Sequence, residues 1–322
     1  MKKQYTYAVS RIRSKELSLL NDSDIQRLLS CNNYLACFQV LQDKGWNTSD
    51  GKMSPEEVLK AQEEETFSLI RELVDDISVF DVFLYPIDYN NLKVAVKSVI
   101  INVEREDLFL NSGTILPKII LQAIKDKDMS VLPEHMREAA KDSFEAFLHT
   151  GDSQLCDIII DKALMNAVLN AKSSSENAFI KKYAEIFVAS ANIKIAIRGN
   201  KIGKKLDFFK KAMAQCGTLN IDLLAKASVK NQEDIYDYLS ITDYKEAVPE
   251  IKKSITDFEK WCDNFIFESI KEQRTDSFSI GPLASYILAK ENERNAVRMI
   301  LLAKINNLDN NLISERIQNM YV

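Results

Sequence analysis

The stretch Gly199-Asn200-Lys201-Ile202-Gly203-Lys204-Lys205 holds the residue types that cradle a phosphate: glycines for close backbone approach and lysines for charge. Its spacing works against that chemistry. A phosphate-binding loop needs four residues between its glycines, a Ser or Thr after the lysine to hold magnesium, and a strand before it. Here three residues separate the glycines, a second lysine follows the first, and the residues upstream have helical spacing. The stretch fits a helix end, with glycine turning the chain and lysines facing the carbonyl end of the dipole.

The other reactive residues are sparse. The only histidines, His135 and His149, fall about four turns apart on one expected helix, too far to share a metal ion. Glu145 and His149 are four residues apart, not the three used by di-iron bundles. Both histidines read as surface or helix-end residues. Cys31, Cys37, Cys156, Cys216 and Cys262 are odd in number, widely spread and without a C-x-x-C pair, which predicts buried free thiols in a reducing compartment. No nucleophile-elbow, zinc-protease or kinase signature occurs. An enzyme would need carboxylates brought together from distant segments, and nothing positive marks such a pair. The expectation is therefore no catalytic residue, no cofactor and no metal.

The net charge of -5, with no Lys/Arg block clear of acidic neighbours, argues against a nucleic-acid partner. The opening MKKQYTYAVSRIR is too mixed for a signal-peptide core. The longest uncharged run, residues 28–42, is shorter than a bilayer span and includes Ser30, Asn32, Asn33 and Gln39, so any membrane link is expected to be indirect. The acidic run Glu63, Glu64, Glu65 and the lysines at 204, 205, 210 and 211 read as solvated helix faces or as a charged rim for a partner protein.

The elements that must position these residues read as helices. The chain has 8 Gly and 6 Pro, too few for many tight turns, and its 46% hydrophobic and 28% charged residues suit amphipathic helices. Ser23 with Gln26 reads as a capping box, and Ser54-Pro55-Glu56-Glu57 combines an N-cap, Pro at the first helical position and Glu at the third. From there Val58, Gln62, Thr66, Leu69, Leu73 and Ile77 form one stripe, with the Glu run and Lys60 largely outside it. A second helix is expected from near Pro133, ending before Thr150-Gly151-Asp152 and showing Met136, Ala140, Phe144 and Phe147 on one face, and a third from about Ser153 to the serines at 173–175. Residues 250–272 carry Ile251, Ile255, Phe258, Trp261, Phe265 and Ile266 at the same spacing. Trp46, after Gly45 at a helix end, is expected to cap a core.

An internal repeat organises the whole. NLKVAVKSVIIN (91–102), NIKIAIRGNKIG (192–203) and NAVRMILLAKINN (295–307) are three aliphatic helix seeds with a basic residue in the first turn. Aligning Lys93, Lys194 and Arg298 gives offsets of 101 and 104 residues, and Gly113 and Gly217 open matching Gly-Thr turns downstream of the first two. The third seed lacks that turn and has Ala296 where the others have Asn91 and Asn192. Three related helical units are expected, at 1–130, 131–232 and 233–322.

With the repeat in view, the two ends of the chain resemble a known family. YAVSRIRSKELSLLNDSDIQRLL (7–29), YLACFQVLQDKGW (34–46) and GPLASYILAKENERNAVRMILLAKINNLDNNLISERIQNMYV (281–322) are similar to the V-type/A-type ATPase family made up of the prokaryotic C subunit and the eukaryotic d subunit. The resemblance rests on Tyr7-x-x-x-Arg11-x-Arg13, Leu19-Leu20, Gly45-Trp46, Gly281-Pro282, Tyr286, Lys290-Glu291-Asn292-Glu293, Lys304, Ile317 and Tyr321-Val322. It implies an all-α fold of three related bundles arranged as a pseudo-threefold funnel. It also implies a non-catalytic role: a central-stalk socket on the cytoplasmic face of the membrane, peripheral, linking the central axle subunits to the membrane rotor ring of proteolipid subunits. Arg11, Arg13, Lys290, Glu293, Arg298 and Lys304 match its pattern and, with Glu63, Glu64 and Glu65, are the candidate partner-binding residues; internal helix-to-helix salt bridges are their other reading. The alternative is a soluble all-helical scaffold unrelated to ATPases.

Overall fold

The computed structural model describes residues 5–48, 52–103, 105–174, 177–273, 276, 278–314, 316–317 and 320–321. Among them are sixteen α-helices and no strand. In chain order they are α1 (Thr6–Glu16), α2 (Asp22–Ser30), α3 (Tyr34–Asp43), α4 (Pro55–Leu73), α5 (Asp81–Ile101), α6 (Pro117–Asp126), α7 (Glu134–Thr150) and α8 (Ser153–Ser174). There follow α9 (Ala178–Lys201), α10 (Leu206–Ala212), α11 (Ile221–Lys230), α12 (Gln232–Ser240), α13 (Val248–Lys253), α14 (Ile255–Gln273), α15 (Gly281–Ile305) and α16 (Asn310–Ser314). The all-α class expected from the sequence is the class observed.

Local signals account for most boundaries. At α4 the Ser54 hydroxyl accepts from Glu57 N–H (3.3 Å) while the Glu57 carboxylate accepts from Ser54 N–H (2.7 Å), the reciprocal cap expected there. Helix α7 buries Met136, Ala140, Phe144 and Phe147 and ends at Gly151, whose φ of 67° gives the left-handed turn that favours glycine. Three expectations need correction. The stripe expected to run from Val58 to Ile77 stops with α4 at Leu73, where Val74 turns extended, and Ile77 opens a separate 3-10 turn (Ile77–Phe80). The capping box of α2 is Asn21 with Asp24 (3.0 and 3.1 Å), not Ser23 with Gln26, so the helix starts two residues earlier on an equally good cap. Residues 250–272 are interrupted at Ser254, whose extended backbone ends α13 and whose hydroxyl caps α14 through Asp257 N–H (3.0 Å). The apolar spacing runs unbroken across that cap and conceals it.

The chain packs as two compact units, one discontinuous (residues 1–77 and 259–322) and one continuous (residues 78–258), with the boundary inside α14. In the discontinuous unit Leu20, Leu28, Phe38, Leu41 and Trp46 pack with Val297, Ile300 and Leu301 of α15. Trp46 is buried, as expected, behind the positive-φ turn at Gly45. In the continuous unit Tyr89, Leu92 and Val96 of α5 pack with Ile120 of α6, Met136 and Phe144 of α7 and Ile160 of α8. Beside them Met165 of α8, Val188 of α9 and Ala214 form a second cluster.

The repeat has a physical basis in the two asparagines. Asn91 on α5 donates to Leu110 O (2.8 Å) and accepts from Leu110 N–H (2.9 Å). Asn192 on α9 does the same to Ala214 O (2.8 Å) and N–H (3.0 Å). Both amides are fully buried, and each clasps the stretch of loop that leads, three residues later, into the Gly-Thr turn. Each turn is also held by a carboxylate from a helix. Asp88 accepts from Thr114 N–H (3.0 Å), Thr114 Oγ1 (2.6 Å) and Ile115 N–H (3.3 Å), and Glu185 accepts from Gly217 N–H (2.9 Å). Burial pushes the Asp88 pKa up to about 6 against the pull of its donors. A Cβ at Gly113 would stand 2.0 Å from Asp88 Oδ1, which explains the glycine. No Gly-Thr pair follows α15 in the sequence, and Ala296 lies buried among apolar side chains.

Replacing Asn192 with Leu leaves a buried N–H and a buried C=O without their partner. The variant should lose about 2–4 kcal/mol of stability, measured as a lowered urea midpoint at unchanged helicity.

Candidate functional site

The charged residues of the terminal motifs converge inside the discontinuous unit, around α15. Its first ten residues, Gly281–Lys290, are all buried, so polar groups there need internal partners. Glu293, 1% exposed, accepts from Lys290 Nζ (2.8 Å) through one oxygen and from the backbone N–H of Leu20 through the other. Lys290 is itself buried and its ammonium lies 5.4 Å from the Trp46 ring centroid, a cation–π contact. One turn further round, Arg294 pairs with Glu63 of α4 at 2.7 Å, both largely buried.

Two further clasps hold the ends. Glu16, buried at the end of α1, accepts from Arg13 (2.7 Å) and from the Tyr321 hydroxyl (3.1 Å). Lys304 donates to Leu29 O (2.6 Å) and Asn310 Oδ1 (2.8 Å), while Asn310 donates to the same Leu29 carbonyl (2.8 Å). Together these tie α1 and α2 to α15, α16 and the C-terminal tail.

Burial pushes the Glu293 carboxyl up from its ordinary value, opposed by Lys290 and by the Leu20 N–H. Tyr286, buried beside it, is raised first by burial and then by the negative charges of Glu293, Glu65 and Glu16.

Five of the nine candidate residues, Arg13, Glu63, Lys290, Glu293 and Lys304, are thus engaged in these internal clasps. Glu63 falls inside the buried stripe of α4, whereas the spacing predicts the Glu run largely outside it. The other four, Arg11, Glu64, Glu65 and Arg298, are exposed. Arg298 donates to Asn295 (3.2 Å), and Glu65 accepts from Gln62 (3.1 Å). Val322 of the closing motif and Ser175 of the serine stop lie outside the described residues. Sequence reasoning missed Glu16, Arg294 and Asp88. Arg294 sits within the quoted motif, but one sequence gives no signal that it faces Glu63.

The reactive residues are structural where the structure describes them. Gly203 has φ 66° and Lys204 N–H donates to Gly199 O (2.9 Å), a helix C-terminus as expected. His135 packs between Tyr85 and Tyr89, with its ring 4.4 Å from that of Tyr85. His149 is exposed in the last turn of α7. All five cysteines are free; Cys37, Cys156 and Cys262 are buried, while Cys31 and Cys216 are half-buried. A shallow cleft beside α6 has Asp126 and Asp128 on its lining. Asp126 accepts from Gln122 (2.8 Å), and Asp128 bonds Ser130 and is held below the usual carboxylate range, opposite to what a general acid requires. Among the described residues no group of three or more His, Cys, Asp or Glu is placed to hold a metal ion, and no helix is long and apolar enough to cross a membrane.

The profile of the ATP synthase (C/AC39) subunit family matches residues 8–316. The C subunit of the V-type sodium ATPase of Enterococcus hirae is 20% identical over 319 residues, which cover 96% of this chain and 97% of the relative. The C subunit of the A-type ATP synthase of Methanocaldococcus jannaschii is 22% identical, covering 94% of this chain and 84% of the relative. That of Desulfurococcus sp. is 24% identical, with 98% and 90% covered.

Replacing Lys290 with Met should cost about 3–5 kcal/mol at neutral pH, because it leaves the Glu293 charge buried and unpaired. Glu293 has a raised folded pKa, so its ionisation costs stability as pH rises above the unfolded value of 4.5. The Lys290→Met deficit should therefore shrink as pH falls toward 4.5 and shrink at all pH values in Lys290→Met/Glu293→Gln, as read from urea unfolding.

Proposed function

The chain belongs to the ATP synthase (C/AC39) subunit family, and on that footing we propose that it is the central-stalk socket of a rotary V/A-type ATPase. As a structural, non-catalytic subunit of that complex it would receive the foot of the central axle and seat it on the membrane rotor ring. In that position it passes torque between ATP hydrolysis or synthesis and ion movement. Three related bundles, one per repeat, arranged as a funnel would supply the opening for the axle. The chain would sit peripherally on the cytoplasmic face, held by the axle subunits and by the proteolipid ring.

The observation that carries this reading is the family match from residue 8 to residue 316, reinforced by relatives matched over most of their own length. The structure supports it through stiffness. A torque spacer has to resist twist, and here the two ends of the chain are tied by three sets of polar clasps within the closely packed discontinuous unit. Partner contact then falls to the exposed members of the candidate set, Arg11, Glu64, Glu65 and Arg298. Single exposed ion pairs contribute about 0–1 kcal/mol each, so docking rests mainly on broad shape-matched area, on the order of 1,000 Å² or more.

Co-sedimentation of the purified chain with detergent-solubilised rotor ring, with and without the axle subunits, tests the reading. Binding to the ring that strengthens when the axle is present is the expected result. Absence of binding to either component at low and moderate salt would leave a soluble helical scaffold instead. Reversing Glu64 and Glu65 to Lys should weaken axle binding several-fold in low salt and have little effect in high salt.

A further inference from the structure

One segment of the continuous unit is strongly basic. Residues 198–211 hold six cationic side chains and a single acidic one, in a chain whose net charge is -5. They form the end of α9, a turn through Ile202–Lys205 made by Gly203, and α10. Lys201, Lys205, Lys210 and Lys211 are exposed. Lys204 bridges to Gln154 at the start of α8 (3.0 Å), and Lys162 of α8 donates to Lys210 O (2.8 Å), so α10 lies along α8. Gln154 and Lys162 are eight residues apart, about 12 Å along a helix, so these ammonium groups share one short stretch of surface.

The neighbouring carboxylates do not neutralise it. Asp157 and Asp161 on α8 are engaged by Lys97 and Lys93 of α5, and Asp152 caps the backbone N–H groups of Gln154 and Leu155. Asp207 alone remains within the patch, exposed. The helix dipoles account for Lys201 at the end of α9 and for Lys210 and Lys211 in the last turn of α10. They do not account for Ile202, which stands 63% exposed at the turn among the lysines, with half-buried Phe208 beside it.

We propose that the α9–α10 turn is a membrane-surface contact, with its lysines drawn to the headgroups of anionic phospholipids and Ile202 entering the headgroup layer. Three features favour a lipid surface over an acidic protein. Five of the six cations are lysines, compact point charges that need no fixed partner geometry, whereas carboxylate recognition favours the planar fork of arginine. The apolar side chain stands on a turn rather than in a groove. The basic and apolar residues alternate over one short segment, the pattern of interfacial anchors.

The experiment uses the full chain and vesicles free of protein, so it stands apart from the ring-binding test above. Sedimentation is measured with phosphatidylglycerol/phosphatidylcholine vesicles and with pure phosphatidylcholine vesicles, at about 0.1 M and about 1 M salt. Binding to the anionic vesicles only, lost at high salt, is expected. Lys205→Gln/Lys211→Gln, at exposed positions that leave the fold intact by circular dichroism, should weaken the partition coefficient roughly twenty-five-fold, about fivefold per lysine. Ile202→Ser should weaken it further without changing the salt dependence. Failure to bind anionic vesicles at low salt, equal binding to neutral ones, or binding unchanged in the lysine double variant would each overturn the proposal. Binding to solubilised rotor ring with none to vesicles would assign the patch to an acidic protein surface.

Discussion

A carboxylate buried to 1% exposure on α15 constrains everything around it. Glu293 cannot remain charged in an apolar interior without donors, and it finds them in Lys290 on its own helix and in the Leu20 backbone at the other end of the chain. Lys290 must then be buried too, which places Trp46 under its ammonium and calls for the sharp turn at Gly45. Glu63 with Arg294 and Glu16 with Arg13 and Tyr321 extend the same logic along α15. Such pairs add little net stability compared with apolar packing, but each is costly to break. They therefore specify one arrangement of the terminal segments.

The repeats show a different use of buried polarity. In the first two, a buried asparagine amide satisfies the N–H and C=O of one loop residue, which lets irregular backbone pack against a helix without orphaned groups. No Gly-Thr pair follows the third seed, and Ala296 stands in the asparagine's place among apolar side chains.

Charge is sorted by position. Around α15, buried charges are paired, Lys290 with Glu293 and Arg294 with Glu63, and serve to hold helices. Outside, four of the candidate residues and four of the lysines at 201–211 are exposed. The role proposed above would call on both, since a body that yields would dissipate rotation and one without external contacts could not pass it on.

Local rules were enough for the helical class, the capped start of α4, the stops at Gly45 and Gly151, and the recurrence of the three seeds. All of these follow from short-range physics that the amino-acid order records directly: periodicity, side-chain caps and the freedom of glycine at positive φ. The charged motif on α15 was marked through resemblance. The break at Ser254 stayed hidden, because an apolar stripe carries no record of a cap placed on its polar side. Nor could the charges that clasp be separated from those that face outward. Glu63 and Glu64 are adjacent and identical in type, yet one is buried against Arg294 and the other is exposed. That difference belongs to the tertiary structure, because the desolvation that makes a charge structural depends on which distant helix covers it.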